Sequence, residues 1–191
     1  MENNITKIIQ ESIQVKHNLL QSHHQLKAIG DVVDVMVNCF TKKGKVLFCG
    51  NGGSAADAQH IAAEFSGRFY KDRAPLFAEA LHVNTSYLTA VANDYSFEEI
   101  YARMVEAMGR EGDVLVGIST SGNSSNVVNA LKKAKELGMF TIGWMGEKDG
   151  KMNAYCDIAI QVPSSVTPRI QESHILIGHI ICELVEAKLF G

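Results

Sequence analysis

Ile5, Ile8, Ile9 and Ile13, followed by Leu19 and Leu20, recur at the i, i+3, i+4, i+7 spacing of an amphipathic helix. A second helix is predicted over 25–42, with Leu26, Ile29, Val33, Val37 and Phe40 on one face and Gly44 as its stop. The rhythm then changes to short apolar runs. KVLFCG (45–50), LFAEAL (76–81), DVLVGIS (113–119), MFTIGWM (139–145) and CDIAIQVP (156–163) read as strands, most of them buried on both faces. Helical stretches over 54–66, 86–92, 97–108 and 124–137 separate them. The last element is a helix from Pro168 to about Leu189, with Thr167 as N-cap and Pro168 at the first helical position. Strand and helix thus alternate, which predicts an α/β fold: a doubly wound, five-stranded parallel sheet with helices on both faces. Its expected strand order is 2-1-3-4-5, of the flavodoxin-like kind. Without a repeat or linker, the chain is expected to form a single domain over 1–191, with N-terminal helices in 1–43 and the α/β core in 44–191.

Composition narrows the partners. The chain has 191 residues, 46% hydrophobic and 20% charged, which argues against disorder. A net charge of -3 supplies no basic stripe for nucleic acid. Anionic small molecules remain open, because helix ends and hydroxyls bind them without a basic surface. Cys39, Cys49, Cys156 and Cys182 form no C-x-x-C pair and suit reduced thiols. The opening MENNITKIIQ lacks the pattern of a signal peptide, and no apolar run approaches the ~20 residues of a membrane span. The expectation is a cytoplasmic protein that binds neither membrane nor nucleic acid.

Two loops carry candidate chemistry. Gly50-Asn51-Gly52-Gly53-Ser54 lies between a buried strand and a helix, so glycines admit a ligand to the helix N-terminus. A dinucleotide reading would need an acidic residue ending the second strand, but Glu79 lies inside it and Leu81-His82 ends it. The second loop is Ser119-Thr120-Ser121-Gly122-Asn123-Ser124. Capping explains one of its serines; a phosphate or sugar explains the hydroxyls of Ser119, Thr120, Ser121 and Ser124 together. In the expected sheet the order reverses between the first and third strands, the two that carry these loops.

His60 and Glu64 stand one turn apart on the helix after the first loop, so they share a face and can ligate one divalent metal. Arg68 and Arg169 can neutralise a phosphate or serve as surface charges. His179 lies in the apolar run ILIGHIICELV, where desolvation would lower its pKa unless a metal or carboxylate is near.

GNGGSAADAQH, ANDYSFEEIYARMVEAMGREGDVLVGISTSGNSSNV and RIQESHILIGHI together resemble the sugar isomerase (SIS) domain, and specifically the phosphoheptose isomerases. That resemblance covers nearly the whole chain from about Lys45, and the two N-terminal helices fit it. It implies conversion of sedoheptulose 7-phosphate to glycero-manno-heptose 7-phosphate, the first step towards the heptoses of bacterial surface polysaccharides. It also implies a zinc ion (Zn2+) and a homotetramer with shared active sites. By the same resemblance His60, Glu64, Gln171 and His179 are the metal ligands. Glu64 is also the catalytic base, His179 is its acid–base partner, and Asn93-Asp94 contacts the sugar. Asn51, Gly52, Gly53 and Gln171 join the substrate-binding set. His174 matches nothing and reads as structural.

Two departures stand out: Pro168 where some members carry an aspartate, and Ala55-Ala56 where some have His-Cys. Both leave the metal set intact. A related binding module that associates with the replication initiator is the alternative, but it would be expected to lose the glutamate and the second histidine. Both are present here.

Overall fold

The computed structural model describes residues 1–191. Helices α1 (Glu2–Gln21) and α2 (His23–Thr41) form a hairpin at Ser22, whose extended backbone breaks the helix and whose hydroxyl accepts the Gln25 N–H. The core follows as β1 (Val46–Gly50), α3 (Gly53–Ser66), β2 (Ala78–Ala80), α4 (Thr85–Asp94) and α5 (Ile100–Met108). It continues with β3 (Val114–Ile118), α6 (Ser125–Glu136), β4 (Phe140–Met145), a 3-10 turn at Lys151–Tyr155, β5 (Ile158–Gln161) and α7 (Thr167–Phe190). The five strands are parallel, as the alternation of elements predicts, and lie in the expected order β2-β1-β3-β4-β5.

Side chains on successive strand residues point to opposite faces. Val46, Phe48, Val116, Ile142, Trp144 and Ile160 face α2, α3 and α7. Leu47, Cys49, Leu115 and Met145 face α4, α5 and α6. Burying a large side chain of this kind contributes roughly 1.5–3 kcal/mol. This two-sided burial explains why the strands read as continuous apolar runs.

Three local expectations are corrected. Lys43, not Gly44, takes the left-handed conformation after α2, with φ 61°. Gly44 is there for space, since a Cβ would stand 2.8 Å from Cys39 Sγ. Thr167 already lies inside α7; its N-cap is Val166, which offers no side-chain cap, and the Ser164 hydroxyl accepts the Val166 N–H at 3.1 Å. The edge strands β2 and β5 are shorter than the apolar runs that contain them, because each has a neighbour on one side only.

One close approach sets the geometry of the site. α3 and α7 lie side by side, and a Cβ at Gly178 would stand 2.5 Å from Ile61 Cδ1, so only glycine permits this approach. At the far edge of the sheet, the buried Asp113 carboxylate accepts the Lys45 N–H at 3.0 Å, Lys45 Nζ at 2.5 Å and the Arg110 N–H at 2.8 Å. That ion pair locks the N-terminal ends of β1 and β3.

Candidate active site

Gly50 is in register with Ile118, so the loops after β1 and β3 emerge side by side at the carboxyl edge of the sheet. Gly52 caps α3 with φ 55°, a conformation that disfavours any other residue. Asn51 and the buried Asn126 exchange two side-chain hydrogen bonds, 2.9 and 2.8 Å, which tie the first loop to the start of α6. Tyr101 donates to the Gly50 carbonyl at 2.5 Å and fixes the strand end from the other face.

In the second loop, Ser119 Oγ lies 2.9 Å from Ser124 Oγ and 3.4 Å from Ser121 Oγ. Ser124 is the N-cap of α6, yet its side chain makes no capping bond to the helix. Capping therefore does not account for it. Three hydroxyls converge instead at the positive end of a helix, a cup suited to an anion. Beside the loop, a cavity of about 300 Å³ opens between Thr120, Ser121 and Asn123 and the segment holding Ser164, Ser165 and Thr167.

The proton-handling groups lie between α3 and α7. His60 Nε2 is 3.1 Å from Glu64 Oε1 and 3.2 Å from His179 Nε2, although His179 is 119 residues away in the chain. The three ligand atoms all fall within 4.8 Å of one another. Two donors bound to a tetrahedral zinc at about 2.0–2.1 Å stand about 3.3 Å apart, so the two separations from His60 match those of a nitrogen/oxygen metal site. Two imidazole nitrogens this close, with a carboxylate alongside, also suit a group that passes protons. His60 is exposed and Glu64 and His179 partly so, which leaves the cluster open to a ligand.

Gln171 does not join this cluster within the chain. Its side chain packs against Gly53, where a Cβ would stand 2.5 Å from Gln171 Nε2. Gly53 precedes His60 by seven residues, about 10 Å along the helix axis. The desolvated histidine of α7 is His174, not His179. His174 is fully buried, its Nε2 lies 3.2 Å from the Met145 carbonyl, and burial pushes its pKa down to about 4. Its structural reading stands.

Arg169 is buried and engaged by Glu172 and by the Ile8 carbonyl at 3.1 Å, so it ties α7 to α1 and does not face a phosphate. Arg68 is exposed, bonded only to the Tyr70 carbonyl. Asn93 and Asp94 end α4, exposed and bonded to each other at 2.9 Å. Asn126 and Tyr101 were not singled out by sequence reasoning. Asn126 lies two residues past Ser124, within the same polar stretch, and that adjacency was the available signal.

A model of the SIS domain matches residues 10–146. The phosphoheptose isomerase of Clostridium acetobutylicum is 53% identical over 191 residues, covering 100% of this chain and 97% of that protein. The phosphoheptose isomerase of Aneurinibacillus thermoaerophilus is 51% identical over 190 residues, with 100% and 96% covered. Among solved structures, the phosphoheptose isomerase of Neisseria gonorrhoeae superposes with a TM-score of 0.91 at 42% identity, covering 97% of this chain and 98% of its own. That of Francisella tularensis gives 0.92 at 37% identity, with 97% of each chain covered.

Proposed function

This chain belongs to the SIS domain family and, within it, to the phosphoheptose isomerases, and from that premise we propose that it converts sedoheptulose 7-phosphate to glycero-manno-heptose 7-phosphate at a zinc-assisted site. The observation that carries this reading is the meeting of His60, Glu64 and His179 between α3 and α7, α3 being the helix that opens from the glycine loop beside the hydroxyl cup.

Turning a ketose into an aldose moves a proton from C1 to C2 through an enediol. In the proposed mechanism the Glu64 carboxylate removes the C1 proton and returns it to C2. His179 delivers a proton to the carbonyl oxygen at C2 and takes one from the hydroxyl at C1, so the exchange balances. Such groups each contribute roughly 10² to 10⁴ in rate. His60, Glu64 and His179, with Gln171, would hold the zinc, which supplies Lewis-acid polarisation of the sugar oxygens. Ser119, Thr120, Ser121 and Ser124 grip the phosphate, whose binding energy orients the distant reacting carbons. Asn51, Gly52, Gly53, Asn93 and Asp94 complete the sugar-binding set.

A homotetramer is part of the same proposal. Ile5, Ile8, Ile9 and Ile13 of α1 are each at least half exposed, an apolar row that a second copy would cover. No helix is long and apolar enough to cross a membrane, in keeping with the proposed cytoplasmic setting. The heptose product is proposed to feed a bacterial surface polysaccharide.

Purified protein incubated with sedoheptulose 7-phosphate should yield the aldose, followed by NMR; no conversion would overturn the substrate assignment. Chelator should inactivate the enzyme and added zinc restore it. Full activity in protein shown by elemental analysis to be metal-free would leave the four residues as direct acid–base and hydrogen-bonding groups.

A further inference from the structure

The segment between α3 and β2 is held by one buried ion pair. Glu186 of α7 is 3% exposed, and its carboxylate accepts the backbone N–H groups of Phe69 (3.2 Å), Tyr70 (2.8 Å) and Lys71 (3.0 Å). It also accepts Arg73 Nε at 3.1 Å. The Arg73 guanidinium in turn donates to the carbonyls of Glu64 (2.9 Å), Phe65 (2.7 Å) and Gly67 (3.1 Å). Those carbonyls end α3, where helix geometry leaves them without partners and the dipole favours a cation.

The pair therefore joins three segments of the site. Arg73 binds the backbone of Glu64 itself. Glu186 sits two turns beyond His179 on α7. The loop between them carries Phe69, whose ring centre is 5.8 Å from that of His179. A buried ion pair adds little net stability over apolar residues of the same size, so what this one supplies is position. We propose that Arg73 and Glu186 are positioning residues that set the spacing of Glu64 and His60 on α3 against His179 on α7. This inference rests on the reading of those three side chains as the reacting centre.

The test compares Glu186→Gln with Asp113→Asn, which removes an equally buried, ion-paired carboxylate bonded to Lys45 and Arg110 rather than to α3 or α7. Two quantities are measured: the zinc dissociation constant, and the His60 and His179 ring proton resonances of metal-free protein. Glu186→Gln should weaken zinc binding by about 10-fold, the lower end of what losing a group bonded directly to a ligand costs, because Glu186 acts through Arg73, and should shift both rings. Asp113→Asn should lower the unfolding midpoint while leaving zinc affinity and the rings at their wild-type values. If Glu186→Gln does not fold, Glu186→Asp, which keeps the charge but shortens its reach, is read the same way. Wild-type affinity and unmoved rings in the folded Glu186 variant, or equal losses in both variants, would overturn the proposal. If the wild-type protein binds no zinc, the metal reading fails, and the rings alone decide: movement in the Glu186 variant only supports positioning, and none refutes it.

Discussion

Glu64→Gln should abolish isomerisation while leaving the fold intact. The side chain is 26% exposed and its one hydrogen bond runs to His60 at 3.1 Å, so an amide of the same shape disturbs no buried partner. An exposed pair of this kind is worth at most about 1 kcal/mol, and circular dichroism should be unchanged. Turnover should nevertheless fall by at least ~10², the lower end for losing a general base. Exchange of the C1 proton with heavy water should disappear with it, because that step needs only the base and not the later protonation of C2. Near-normal turnover in the variant would remove Glu64 from the mechanism. Retained proton exchange with lost product would place Glu64 after the enediol rather than before it.

The parts of this site that were legible in the sequence are the local ones. His60 and Glu64 are one helical turn apart, so their shared face follows from the period of the helix alone. The two loops each interrupt a buried strand and open a helix, and parallel strands buried on both faces read as unbroken apolar runs. Those features predict a parallel sheet; the juxtaposition of the loops follows only with the flavodoxin-like strand order, which the structure has. His179 is different. It reaches His60 only because Gly178 lets α7 press against Ile61, a contact between residues more than a hundred positions apart that no periodicity encodes. Its role came from the resemblance to phosphoheptose isomerases. The same helix shows why its apolar setting misled: successive residues face different neighbours, and the core-facing histidine is His174. Arg73 and Glu186 gave no local signal, since an Arg and a Glu in amphipathic surroundings read as solvated charges until the fold buries them against each other.

Mixing two dead variants should restore activity. Gln171 and His179 are eight residues apart on α7, about 12 Å along the axis, and zinc ligands bind at about 2 Å. The two side chains of one helix therefore cannot easily meet at one ion. The observed packing sharpens the point, because His179 is already with His60 and Glu64 while Gln171 lies against Gly53. If Gln171 completes the metal set, the simplest source is a neighbouring subunit, and the exposed isoleucines of α1 offer a surface for such an assembly. Gln171→Ala and His179→Ala should each be inactive alone. Co-refolded in equal amounts, they should regain about a quarter of the wild-type sites, since in a symmetric oligomer one site in four then draws His179 and Gln171 from chains that still have them. A mixture that stays dead although mixed oligomers form would mean that both ligands come from one chain, and that α7 must bend or shift around Gln171 to bring them together.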